Sequence, residues 1–176
     1  MKHFFLFLLL FSGISALAQK KSNLIIENFG TVYTIPDATI LPDSSKKYQI
    51  VIDAKTGNKD FSELAFALYN TARMMNLHAL GGVKPENLEV VLAIHGGATF
   101  AILDNESYQK KFGTDNPNIP LIKELKDAGV KITVCGQSLL GRKIKTEQVL
   151  PEVEIATSML TTVSTYQLKG FAVFQF

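Results

Sequence analysis

Three side chains able to do chemistry near neutral pH stand where apolar runs stop: Asp53 in the run that begins at Tyr48, His95 after residues 88–94, and Cys135 after residues 130–134. If each run is a strand, all three sit at or just past strand C-termini, the edge where ligand crevices form in open α/β sheets. A cysteine there has two reasons to ionise. The amides of the turn that starts at Gly136 can donate to a thiolate, and Arg142 and Lys143 add positive charge if their loop folds back. A thiol with the ordinary pKa of about 8.5 is mostly protonated at neutral pH, so lowering it by about one unit multiplies the available nucleophile severalfold. His95 is then a base or a hydrogen-bond partner for Cys135. Gly96 and Gly97 can offer backbone amides to a ligand oxygen, and Asn70 can line a crevice from the side of the preceding helix.

Each residue also has a plainer reading. A lone cysteine ending an apolar strand is often a buried small hydrophobe, His95 can be a packed and hydrogen-bonded histidine, Asp53 can accept amides of its own loop, and Asn70 can be ordinary surface. Other chemistries are excluded more firmly. One cysteine permits neither an intrachain disulfide nor a CxxC dithiol. Asp53, His95 and Cys135 come from three separate strands without ligand spacing, so no metal is expected. Ser138 lacks the second glycine of a nucleophile elbow, and no GxGxxG or P-loop is present, so no cofactor is expected either. With 18 Lys and Arg against 16 Asp and Glu, the net charge of +2 gives no basis for binding nucleic acid.

The elements that must position these side chains alternate in type. Strands are expected at 48–54, 88–94, 130–134, 154–156 and 171–176. Helices are expected from Phe61, capped by Asp60 with Glu63 three residues on, then at 98–103, 121–128, 137–140, 146–149 and 158–168. Connections long enough to hold helices make the five-stranded sheet mostly parallel. Residues 19–47 form a polar, turn-rich arm, with strand-like pieces at 24–26 and 31–35. Ahead of it, Lys2 and His3, an apolar run at 4–11 and Ala16-Leu17-Ala18 have the pattern of a cleaved signal peptide, cut after Ala18. The run is too short for a membrane span. A protein divided as 1–18, 19–47 and 48–176 is therefore expected in the periplasm or outside the cell, without stable membrane insertion.

Several stretches in this order resemble one family. They are Ala67-Leu68-Tyr69-Asn70, the strand that ends in His95-Gly96-Gly97, Val130-Lys131-Ile132-Thr133-Val134-Cys135-Gly136-Gln137-Ser138-Leu139, and Leu150-Pro151-Glu152-Val153-Glu154-Ile155-Ala156 with Gly170 beyond. Residues 48–176 resemble the DsrE/DsrF-like group, which includes sulfurtransferase subunits of tRNA thiolation and dissimilatory sulfur-oxidation proteins. Phe29-Gly30-Thr31-Val32-Tyr33 and Ile35-Pro36-Asp37-Ala38 in the arm resemble its exported members. The resemblance implies a three-layer α/β/α fold around a five-stranded parallel sheet, and homo-oligomers, often trimers or hexamers. It also implies that Cys135 carries a persulfide between donor and acceptor proteins, with His95 at the end of the preceding core strand. The tRNA-thiolation members work in the cytoplasm, so that substrate is not expected of an exported chain. The alternative is a binding module that uses the same crevice without sulfur transfer. A buried Cys135 in an apolar shell would favour the module; an exposed one with a depressed pKa, near His95 or Arg142, would favour the carrier.

Overall fold

The computed structural model describes residues 21–22 and 24–176; the expected signal peptide lies outside the described residues. Five parallel strands form the central sheet: β3 (Tyr48–Ala54), β4 (Leu88–Ile94), β5 (Lys131–Cys135), β6 (Glu154–Ala156) and β7 (Ala172–Gln175). Their spatial order is β6-β5-β4-β3-β7. A small antiparallel pair, β1 (Lys21–Ser22) with β2 (Val32–Tyr33), belongs to the arm.

The order explains the layers. From β3 to β6 the chain steps in one direction, and its crossovers place α1 (Phe66–Leu80), α3 (Ile119–Asp127) and α4 (Gly136–Gly141) on one face. It then doubles back from β6 to β7 beyond β3. Because parallel crossovers keep one hand, reversing direction sends the connecting helix α5 (Met159–Leu168) to the opposite face. The faces differ in depth. Ile50, Ile52, Leu92, Ile94, Ile132 and Val134 meet Leu68, Ala72, Leu121, Ile122 and Leu139 in one large core. Burying each large aliphatic side chain contributes roughly 1.5–3 kcal/mol. The apolar cluster on the second face is small, Val51, Val91 and Phe171 with Val163 and Tyr166 of α5 packed against them, and no residue of α5 is fully buried.

Several local expectations are corrected. The first helix begins at Phe66 rather than near Phe61, because the Asp60 carboxylate accepts from the amide and hydroxyl of Ser62 in a tight turn. The helix start is held instead from a distance. Asn118 Oδ1 accepts the amide of Ala65 at 2.7 Å, and Asn116 Oδ1 accepts from the amide and side chain of Asn118. The segment expected as a helix at 98–103 is a 3-10 helix, Gly96–Ile102, and residues 146–148 are a single 3-10 turn. A helix not expected, α2 (Asn105–Phe112), is capped by Asp104, which accepts the Ser107 amide, and stops at Gly113 with φ +75°.

Residues 24–26 are not a strand, and only Val32–Tyr33 of the 31–35 piece pairs. Buried Asn76 holds this segment. Its Oδ1 accepts from the amides of Leu24, Ile25 and Ile26, and its Nδ2 donates to the carbonyls of Ile26, Phe29 and Gly30. Gly30, at φ +65°, lies so close that a Cβ would stand 2.4 Å from the Arg73 nitrogen of α1. Replacing Asn76 strands both sets of arm groups. We expect Asn76→Ala to cost roughly 2–4 kcal/mol in urea unfolding and to make residues near the arm sensitive to limited proteolysis; an unchanged urea midpoint would show that the arm does not depend on this side chain.

Candidate functional site

Alternation along the strands decides which side chains share a face. Ile50, Ile52, Ile94 and Val134 point into the large core, so Asp53, His95 and Cys135 belong to the α5 side. His95 remains extended, at φ −156° and ψ −169°, and its amide donates to the Ala54 carbonyl, so it continues the alternation of β4. The last paired residues of β4 and β5 are Ile94 and Val134, which leaves His95 and Cys135 next to each other on strands about 4.8 Å apart. On the other side, Asp53 of β3 pairs with Ala93 of β4 and with Gln175 of β7. The result is a polar row across the sheet: Gln175, Asp53, His95, Cys135 and, after β6, Ser158.

Two parts of the row are hydrogen-bonded. His95 Nε2 meets Asp53 Oδ1 at 2.6 Å, with the side chains 14% and 15% exposed. Carboxylate oxygens accept, so Nε2 donates this bond. Gln175 Nε2 donates to the other Asp53 oxygen at 3.2 Å. At the far end, Cys135 Sγ lies 3.9 Å from Ser158 Oγ, and the residue is 6% exposed. Burial pushes the thiol up, but four donors outweigh it. The Met159 amide, the Ser138 hydroxyl, the Ser138 amide and the Ser158 hydroxyl together hold the Cys135 pKa below its ordinary value.

Those donors belong to two helix starts. Cys135 is the N-cap of α4, whose first turn supplies Ser138, while Ser158 is the N-cap of α5, which begins at Met159. Free amides and the positive end of the helix dipole favour a negative sulfur there. The loops after β5 and β6 leave toward opposite faces, so Cys135, paired with Ala156, sits at a topological switch point. Gly136 lies in the same crevice wall, where an added Cβ would approach the Ala156 carbonyl oxygen at 3.0 Å.

The remaining residues of interest behave differently. Gly96, at φ +54°, presents its amide to Ser138 Oγ at 3.4 Å, linking the two loops. Gly97 packs backbone to backbone on Gly57, where a Cβ would come within 2.7 Å of the Gly57 nitrogen. Asn70 donates to the Phe66 carbonyl within its own helix and is not joined to the row. The Arg142 guanidinium lies over the Phe100 ring, 5.6 Å from its centroid, and is not among the groups that act on the thiol. Sequence reasoning missed Ser158, Met159 and Gln175. Ser158 had one readable signal, as a serine directly before an apolar helix. Among the described residues, no cluster of three or more His, Cys, Asp and Glu side chains could hold a metal ion, and no helix is long and apolar enough to cross a membrane.

Similarity to known proteins agrees with this geometry. The fold is similar to that of a protein of unknown function, MTH1491, from Methanobacterium thermoautotrophicum, with a TM-score of 0.56 at 14% identity, covering 73% of this chain and 99% of that one. It is also similar to the ychN protein from E. coli, with a TM-score of 0.54 at 25% identity and the same two coverages. Comparison with curated protein sequences gives no match. The profile of the DsrE/DsrF-like family matches residues 46–176, which include every strand of the central sheet and the whole polar row, and the chain belongs to that family.

Proposed function

We propose that the protein is a sulfur carrier that holds a persulfide on Cys135 and works outside the cytoplasm. The observation that carries this reading is the polar shell of the sulfur: four donors from two helix starts favour a thiolate despite burial. In the first step the Cys135 thiol gives its proton to His95, and the resulting thiolate attacks the outer sulfur of a donor persulfide, R–S–SH. A new S–S bond forms as the donor's S–S bond breaks, and the electron pair leaves with R–S⁻, which takes a proton from His95. In the second step an acceptor thiol, R′–SH, gives its proton to His95 and attacks the outer sulfur, releasing the Cys135 thiolate. Over the cycle R–S–SH and R′–SH become R–SH and R′–S–SH, with no net oxidation.

Donor and acceptor are expected to be thiol proteins, since a persulfide sulfur passes by exchange between thiols. Self-assembly has support in α5, which contains no charged residue and leaves Leu160 at 72% and Leu168 at 90% exposure. Helix faces of this kind are usually covered by another protein surface. Export rests on the N-terminal pattern alone. The second reading, a binding module without covalent chemistry, is favoured by the burial of Cys135 itself.

Intact mass after incubation with a polysulfide donor separates the two. A carrier gains one sulfur atom, the gain is lost in Cys135→Ser, and an added thiol acceptor removes it. A protein that gains nothing until it is unfolded is the binding module.

The lowered thiol makes a second prediction. The pH midpoint of alkylation should lie below the ordinary value of about 8.5 and move upward in both Ser138→Ala and Ser158→Ala. The folded pKa is below the unfolded one, so ionisation stabilises the fold. That contribution is fully present above about pH 8.5 and is lost as pH falls through the folded value. The stability difference between wild type and Cys135→Ser should therefore rise with pH and level off near that point; a flat difference would remove the thiolate from the account.

A further inference from the structure

We propose that Gln175, on the last strand, is a positioning residue that fixes the Asp53 carboxylate and, through it, the proton-bearing nitrogen of His95. The proposal rests on the carrier reading for its consequence in sulfur transfer, but its geometric core stands independently. Gln175 is opposite Asp53 in the parallel register. Two backbone bonds hold the strand end there: the Phe176 amide donates to the Asp53 carbonyl at 3.0 Å, and the Lys55 amide donates to the Phe176 carbonyl at 3.1 Å. The Phe176 ring also packs edge-on against Phe66 and Phe174. The Gln175 amide is thus delivered to Asp53 Oδ2 while Oδ1 is left for His95 Nε2.

A carboxylate held by only one partner can rotate and exchange its oxygens. Held by both, it presents Oδ1 in one orientation and commits the imidazole proton to Nε2, so Nδ1 is the nitrogen that gives and takes protons in the transfer cycle. Few charged or titratable groups surround this pair. Lys55, just past β3, passes its aliphatic stem close to Gly96, and Cys135 is the neighbour on β5. From α5 the sole titratable residue is Tyr166, which lies beside Lys131, and β7 carries none.

The test combines histidine ¹⁵N NMR with single-turnover sulfur loading of Cys135, using polysulfide as donor, on wild type, Gln175→Leu and Gln175→Glu. Loss of a signal in His95→Gln assigns the resonance. Wild type should show His95 protonated at Nε2 alone, and Gln175→Leu should show both tautomers with a thermal midpoint close to wild type. Loading should slow by about threefold to tenfold, a small part of what general acid–base catalysis supplies. Gln175→Glu places two carboxylates side by side, and such a pair retains a proton more readily than either alone. Its loading rate relative to wild type should therefore recover as the pH is lowered and the Glu side chain becomes a donor again. A residue that only held the strand would give a ratio independent of pH.

A single Nε2 tautomer retained in Gln175→Leu overturns the proposal, as does a Gln175→Glu ratio that does not change with pH. If wild type takes up no sulfur, the carrier reading fails, and the tautomer measurement alone still decides whether Gln175 positions the pair.

Discussion

The register of the parallel sheet is the constraint on which everything at the C-terminal edge depends. A slip of one residue in any strand turns its side chains to the opposite face. The large core prevents that slip for β3, β4 and β5, since Ile52, Leu92 and Ile132 must all stay on the α1 and α3 side. Once they do, Asp53, His95 and Cys135 have no choice of face. The polar row is therefore a consequence of core packing several residues away, and the site inherits the rigidity of the best-buried part of the molecule.

The chemistry at Cys135 is a contest between two effects of burial. Removing a thiolate from water disfavours it, and the same exclusion of water strengthens each hydrogen bond it receives. Here the donors win, because amides at helix starts have no intrahelical partner and lose nothing by turning to the sulfur. The α5 start can reach Cys135 only because the chain doubles back from β6 over the second face. The sparse covering of that face follows from the same route: one returning helix spans a surface that several helices cover on the other side. Cys135 is therefore 6% exposed and yet held below the ordinary thiol range by the donors around it.

How much of this was legible in the sequence depended on range. The ends of the apolar runs marked Asp53, His95 and Cys135, because a buried parallel strand has few polar residues and its last one stands out. The five strands were readable for the same reason. Contacts made across long stretches of chain were not. Asp60 and Glu63 carry a good local capping pattern, but Asn118, 53 residues from Ala65, fixes the real helix start. Helix α2 lacks an apolar stripe, burying only Tyr108, so periodicity gave no sign of it although Asp104 and Gly113 mark its ends. Arg142 was to act on the thiol only if its loop folded back, and its guanidinium lies over the Phe100 ring, a contact between distant parts of the chain. Ser158 and Gln175 reach the row through strand order, which no pattern in the chain specifies.

The loops that frame the crevice are themselves fixed mainly by close backbone contact, with one bond to a serine side chain. Gly97 rests on Gly57, Gly96 rests on the Lys55 carbonyl, and the Gly96 amide meets Ser138. A side chain at either glycine would force the β3 and β4 loops apart, and the His95 backbone would move with them. Asn76 and Asn118 work at a greater distance, securing α1 and the arm without touching the row. Their loss acts on the arm and on the start of α1, which carry none of the residues of the row. Damage at the Gly96-Gly97 turn has the opposite character: the large core persists, while the spacing between the imidazole and the sulfur is lost. Stability and chemistry thus draw on different parts of one sheet, joined at the few residues where the strands end.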